Sequence, residues 1–122
     1  MTLAKPSFLE IIPAQGLIKK RVLCAHGLNQ NPKALKPLLE DLSKQGVQTF
    51  LLHLPEHGDN QRNSSVENIF TSYEQSYRFV NDQYGEIDFY IGYSFGGLIG
   101  TYLLDQFYFS KMVLLAPAVQ LH

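Results

Sequence analysis

Short apolar runs and stretches with helical spacing alternate along the chain. Five apolar runs predict strands, at residues 8–12, 22–25, 47–55, 87–93 and 111–119. The run at 22–25 shows no polar alternation, which is typical of a strand buried on both faces of a parallel sheet. Such a strand needs helices on both sides of the sheet.

Three helices are predicted between these strands. The first follows an Asn-Pro pair at 31–32 that suits a helix start, but Pro37 places the start of the regular helix near that residue. The second opens with a capping-box sequence at 64–67 and keeps one apolar face for about five turns, until Gly85. The third covers 95–107. Strands that alternate with helices predict an α/β fold with a mainly parallel sheet and flanking helices.

Length and composition fit one ordinary globular domain. The chain has 122 residues, of which 45% are hydrophobic and 17% charged. Its net charge of −1 gives no electrostatic footprint for nucleic acid and no polybasic face for an anionic membrane. No apolar run is long enough to span a bilayer, and the first ten residues lack the apolar core of a secretory signal. We expect a cytoplasmic protein in which the single cysteine, Cys24, is buried and unreactive.

The sequence GYSFG at 92–96 is the most specific chemical motif of the chain. It is a G-x-S-x-G pentapeptide between a predicted strand and a predicted helix. A strand that turns at once into a helix strains its turning residue, and side chains two positions away would collide with backbone, so glycine is needed there. This turn presents the hydroxyl of Ser94 at the carboxyl end of the sheet and leaves the backbone N–H of Phe95 able to donate to an oxyanion. The alternative is an accidental match, but the flanking strand and helix favour a functional turn.

The pair His26-Gly27 directly follows the predicted strand at 22–25. Alone, it is better explained as the ordinary turn at the end of a strand. Beside the G-x-S-x-G turn it predicts a second oxyanion donor, the backbone N–H of Leu28.

These motifs resemble those of the α/β-hydrolases. The matching segments follow the order and spacing of that superfamily and cover nearly the whole chain: HG at 26–27, LPEHGDN at 54–60, GYSFGG at 92–97 and LLAPA at 114–118. The resemblance is nearest to the monoacylglycerol lipase-like and carboxylesterase-like serine hydrolases, which often carry a P-G-H-G-x-S loop. In this chain Glu56 replaces the first glycine of that loop, and Asn60 replaces its serine.

The resemblance implies a site and an activity. The strand before His26 would lie beside the strand before Ser94, and a small acyl substrate or ligand would bind in the crevice between their carboxyl ends. Ser94 would be the nucleophile of a hydrolase of ester, thioester or similar acyl bonds, and the backbone N–H groups of Leu28 and Phe95 would form its oxyanion hole. This chemistry requires no cofactor, and no His, Cys, Asp or Glu cluster has the spacing of a metal site.

The acid and the base of the catalytic triad have no counterpart by motif in this chain. In the superfamily the acid and then the histidine come after the LLAPA strand, whereas this sequence stops shortly past that strand. Asp105 falls at the wrong end of the unit that follows the nucleophile. None of the four histidines matches the base: His26 and His57 are expected to be structural, His53 to be a packed or solvent-facing residue within its strand, and His122 to be frayed. We therefore expect residues 1–122 to be the N-terminal part of a single α/β-hydrolase domain, an incomplete core that ends after the strand following the nucleophile helix.

Three functions are compatible with this pattern. The chain is part of a serine hydrolase that a second chain or a C-terminal segment completes, thereby covering the apolar edge of the strand at 111–119. It is a truncated, inactive hydrolase fragment with an inherited turn. Or it is a non-catalytic module that binds an acyl ligand, or that recruits a partner by strand addition.

Overall fold

The computed structural model describes residues 4–27, 31–54, 60, 65–93 and 111–115. Within these residues five strands form one sheet: β1 Leu9–Ile12, β2 Lys20–Ala25, β3 Val47–Leu52, β4 Phe89–Tyr93 and β5 Lys111–Leu115. Their order across the sheet is β1-β3-β2-β4-β5. β1 pairs with β3 in antiparallel orientation, and the other three pairings are parallel. The prediction of a mainly parallel sheet is confirmed.

The ends of two strands differ from the predicted ones, because pairing with the neighbouring strand determines where each strand starts and stops. β3 ends at Leu52 rather than at residue 55, because its partner β2 ends opposite it, at Ala25. β2 begins earlier than predicted, because the polar residues Lys20 and Arg21 already pair with β3. The predicted helix at 95–107 and the end of the last predicted strand, at 116–119, lie outside the described residues.

The segment after β2 forms a 3₁₀ turn and then a helix. The 3₁₀ turn spans Pro32–Leu35, and the side chain of Asn31 caps it by accepting a hydrogen bond from the backbone N–H of Lys33 at 3.0 Å. Helix α1 then runs over Lys36–Lys44 with Pro37 in its first turn, where a missing N–H is harmless. The predicted start of the regular helix near residue 37 is confirmed.

Helix α2 spans Val66–Gln83, and its N-cap is Ser65. The Ser65 hydroxyl accepts a hydrogen bond from the backbone N–H of Asn68 at 3.1 Å. The predicted capping box, which begins at Ser64, is therefore wrong by one position: the third helical residue is an asparagine rather than the glutamate of that motif. The helix ends just before Gly85, as predicted, and the positive φ of 108° at this glycine lets its N–H donate back to the carbonyl of Val80 at 3.1 Å.

The two helices cover opposite faces of the sheet. Successive residues of a strand point to opposite faces, so each strand contributes to two cores. On β2, Leu23 and Ala25 pack in the core that includes α2, whereas Val22 and Cys24 pack in the core that includes α1. All four side chains are at most 2% exposed. The predicted burial of residues 22–25 on both faces is confirmed.

A buried pair of tyrosines joins α2 to β4. The hydroxyl oxygens of Tyr73 and Tyr90 lie 2.7 Å apart, and their rings meet edge to face with centroids 6.0 Å apart. Burial raises the pKa of both hydroxyls above that of an exposed tyrosine. This contact fixes the longest described helix against the strand that precedes Ser94.

Candidate active site

The carboxyl ends of β2 and β4 lie side by side. The parallel register places Ala25 opposite Gly92. At the amino ends, the N–H of Arg21 donates to the carboxylate of Asp88 at 2.9 Å, and the N–H of Asp88 donates to the carbonyl of Arg21 at 3.0 Å. The turns after β2 and β4 thus start from neighbouring positions, as the resemblance implied.

β2 and β4 also form the switch point of the sheet. From β2 the chain continues through α1 to β3 on one side, and from β4 it continues to β5 on the other side. In open α/β sheets, connections that diverge in this way leave a crevice at the carboxyl ends of the strands, where ligands bind. The strand order required for the predicted crevice is present.

The predicted site residues follow directly on these two strand ends. Ser94 and Phe95 come immediately after β4, and Leu28 comes three residues after the end of β2. All three lie outside the described residues, so their roles stay predictions. The described chain reaches Gly27 on one side of the switch point and Tyr93 on the other.

His26 is fully buried in the turn after β2, and backbone groups engage both of its ring nitrogens. Its Nδ1 lies 2.7 Å from the carbonyl oxygen of Gly27, which can only accept, so Nδ1 carries a proton. Its Nε2 accepts a hydrogen bond from the backbone N–H of Leu54 at 2.9 Å. The imidazole is therefore neutral, with a fixed tautomer, and it joins the end of β2 to the end of β3. The expectation that His26 holds loop backbone is confirmed.

A cluster of ionisable side chains lies at the same end of β3. His53 directly follows the strand, is 6% exposed, and has its Nε2 3.2 Å from Oε1 of Glu10 on β1. The other carboxylate oxygen of Glu10 lies 2.6 Å from Nζ of Lys36, the first residue of α1. Burial acts to raise the pKa of Glu10, but the hydrogen bonds and charges of Lys36 and His53 outweigh it, and the net pKa is lowered. His53 is thus packed rather than solvent-facing, and it follows the strand instead of lying within it as predicted. The part of Glu10 left no sequence signal.

Asn60 bridges the end of β3 and helix α2. Its side chain is buried, and Nδ2 donates to the carbonyl oxygen of His53 at 2.9 Å and to the hydroxyl oxygen of Ser72 at 3.3 Å. This residue stands where the resembling loop has a serine. The replacement of that serine by Asn60 was visible in the sequence, but the role of Asn60 as a bridge was not.

Of the remaining side chains about which the sequence makes a prediction, the structure describes Cys24. The Cys24 thiol is buried, as predicted, and burial raises its pKa to about 12. His57, Asp105 and His122 lie outside the described residues.

Among the residues that are described, no group of three His, Cys, Asp or Glu side chains could hold a metal ion. No helix in this part of the chain has the length and apolarity needed to cross a membrane.

The family profile of the alpha/beta hydrolase fold matches residues 20–121, a stretch that includes β2 to β5 and the turns after β2 and β4. The chain belongs to the α/β-hydrolase fold family. No curated protein matches its sequence.

Solved structures share the fold of this α/β-hydrolase chain. MenH from S. aureus superposes with a TM-score of 0.75 at 18% identity, over 96% of this chain and 45% of that protein. An alpha-beta serine hydrolase homologue from Coxiella burnetii gives 0.78 at 19% identity, over 91% and 57%. A soluble variant of monoglyceride lipase from Saccharomyces cerevisiae, in complex with a substrate analog, gives 0.75 at 22% identity, over 93% and 42%. The chain therefore spans about half the length of these proteins.

Proposed function

We propose that this chain carries the nucleophile and the oxyanion hole of a serine hydrolase that acts on carboxylic esters, thioesters or similar acyl bonds. The observation that supports the proposal most directly is the pairing of Ala25 with Gly92 at the switch point. Because these strand ends are neighbours, we expect the turns that contain Leu28 and Ser94 to leave the sheet side by side, where a single acyl group could reach both.

The proposed reaction passes through a covalent acyl-enzyme. The hydroxyl oxygen of Ser94 attacks the carbonyl carbon while a base takes its proton. The backbone N–H groups of Leu28 and Phe95 donate to the oxyanion of the tetrahedral intermediate. Collapse of the intermediate breaks the bond to the alcohol or thiol, which leaves with the proton from the base. Water then attacks the acyl-enzyme by the same steps in reverse order, which releases the acid and restores Ser94.

The base and its orienting acid are proposed to come from polypeptide outside these 122 residues. Two observations support this. Backbone groups engage both ring nitrogens of His26, and Nε2 of His53 contacts the carboxylate of Glu10. The chain also spans only about half the length of the solved structures that share its fold. We propose that the base and the acid lie on a second chain or a further segment, which would also pair with β5.

Labelling with a fluorophosphonate tests the proposal. An activated serine displaces fluoride from phosphorus and keeps the phosphonyl group, so intact mass reports the adduct. We expect no adduct on the isolated chain, and an adduct once the polypeptide encoded directly downstream of codon 122 is added. Ser94→Ala should abolish this labelling, and the control Ser7→Ala should leave it unchanged.

Other outcomes separate the alternatives. An adduct at Ser94 of the isolated chain would show that no completing segment is needed. No adduct under either condition would contradict the proposed hydrolase and leave an inactive hydrolase fragment. A folded chain that is never labelled but binds a non-hydrolysable acyl analogue would instead be a binding module.

A further inference from the structure

One peptide group just past β3, between His53 and Leu54, is held from both sides by buried side chains. Its carbonyl oxygen accepts a hydrogen bond from Nδ2 of Asn60 at 2.9 Å. Its N–H donates to Nε2 of His26, also at 2.9 Å. Asn60 is 2% exposed and His26 is 0% exposed, so water does not compete for these contacts. Because the peptide is planar, the two hydrogen bonds fix its orientation together.

Asn60 and His26, the two side chains that hold this peptide, each make a further hydrogen bond. Nδ2 of Asn60 also donates to the hydroxyl of Ser72 on α2. At the other end, Nδ1 of His26 donates to the carbonyl of Gly27 at 2.7 Å. That carbonyl shares a planar peptide group with the N–H of Leu28, the proposed oxyanion donor. A trans peptide directs its N–H opposite to its C=O, so we expect the hydrogen bond from His26 to set the direction of that donor.

We propose that Asn60 is a positioning residue for the oxyanion-hole turn and acts through the His53–Leu54 peptide and His26. The coupling rests on the described contacts, and its importance for catalysis rests on the proposed function. An amide suits this place because its two N–H donors reach the His53 carbonyl and the Ser72 hydroxyl together, whereas a serine hydroxyl offers one donor.

The physical consequence of losing Asn60 follows from these hydrogen bonds. The carbonyl of His53 loses its buried donor and the peptide gains freedom to turn. The Leu54 N–H then no longer points steadily at His26, and the imidazole loses one of the two backbone groups that fix its tautomer. The turn at Gly27 loses its fixed orientation as a result.

Nuclear magnetic resonance of the 122-residue protein with isotope-labelled histidine tests this coupling without any need for activity. In the wild type we expect a neutral His26 with its proton on Nδ1, and a Leu54 amide that exchanges slowly. In Asn60→Ala we expect Leu54 exchange to rise by about tenfold or more, and the His26 signals to report a mixture of tautomers. Ser72→Ala, which removes only the 3.3 Å contact, should cause a smaller change of the same kind.

Ser43→Ala is the matched control. The buried Ser43 hydroxyl donates to the carbonyl of Pro13 at 2.6 Å, outside this set of contacts. The control should lower stability while leaving the His26 signals as they are. Unchanged His26 signals and Leu54 exchange in Asn60→Ala, or in Asn60→Leu if the alanine variant unfolds, would overturn the proposal, and so would an equal effect of Ser43→Ala. A failure of the proposed function would show instead as missing fluorophosphonate labelling of Ser94 after the completing polypeptide has been added, with these signals unaffected.

Discussion

The hydroxyl of Tyr73 and the hydroxyl of Tyr90 form a buried hydrogen bond of 2.7 Å between α2 and β4. We expect Tyr73→Phe to lower the free energy of unfolding by about 1–2 kcal/mol, because it removes a buried hydrogen bond and keeps the ring. Urea unfolding followed by circular dichroism measures this change.

A double-mutant cycle isolates the contact between the two hydroxyls. Tyr73→Phe and Tyr90→Phe together should destabilise the protein by less than the sum of the two single changes. The control is Tyr84→Phe, because Tyr84 packs its ring on Phe50 and Phe79 and makes no hydroxyl hydrogen bond within the described part of the chain. Additive effects in the cycle would contradict the coupling.

The same two tyrosines predict how stability falls in alkali. Burial raises the pKa of both hydroxyls, so their contribution is complete below the ordinary tyrosine value of about 10 and is lost as the pH rises from there through the folded-state values. We expect two tyrosines to resist ionisation until the chain unfolds, as measured by tyrosinate absorbance. In the Tyr73→Phe variant only one tyrosine should resist ionisation in this way. Ionisation of both groups in the folded chain near the ordinary value would refute their burial.

The cluster around Glu10 predicts a change of stability in acid. The pKa of Glu10 is lowered in the folded chain, so its contribution is present above the ordinary glutamate value and is lost as the pH falls through the folded-state value. Glu10→Gln should lower stability at neutral pH by no more than about 1 kcal/mol, because Lys36 and Glu10 are only partly buried. The variant and the wild type should converge in acid.

A second carboxylate, Glu74, serves as the control that distinguishes the specific contacts of Glu10 from the general effect of removing one negative charge. Glu74 pairs with Arg78 on the exposed side of α2 at 2.9 Å. Glu74→Gln should change both the stability and its pH dependence less than Glu10→Gln does. Equal pH profiles for the two variants would count against a special role of the contacts of Glu10 with His53 and Lys36.

Two adjacent serines test the start of α2. Ser65→Ala should destabilise the protein by about 1 kcal/mol, because the Ser65 hydroxyl satisfies the N–H of Asn68. Ser64→Ala leaves that cap in place and should stay within about 0.5 kcal/mol of the wild type. Thermal unfolding of both variants makes the comparison, and the reverse order of stability would restore the capping box read from the sequence.

Local patterns in the sequence predicted most of the fold. The unbroken apolar run of β2, the Asn-Pro start before α1 and the glycine after α2 each act through neighbouring backbone, so spacing along the chain reveals them. The choice between Ser64 and Ser65 as N-cap could not be made this way, because both are serines and helix geometry selects one of them.

Contacts between distant segments were the part that the sequence did not reveal. Glu10 meets His53 across 43 residues through the antiparallel pairing of β1 with β3, and no spacing rule connects them. Asn60 bridges His53 and Ser72, so its role exists only once a strand end and a helix have packed together. Motifs reveal a turn that is made from consecutive residues, but they do not reveal the hydrogen bonds that hold it from outside.

The central place of β2 sets the order in which the sheet is assembled during synthesis. β3 can pair with one edge of β2, and with β1 on its own far side, soon after it leaves the ribosome. The other edge of β2 waits for β4, and Asp88, directly before β4, contacts Arg21 across 67 residues. Until then a nascent chain presents an open strand edge lined by apolar side chains, the kind of surface that chaperones bind. The strand that leads to Ser94 is thus the one that closes this edge.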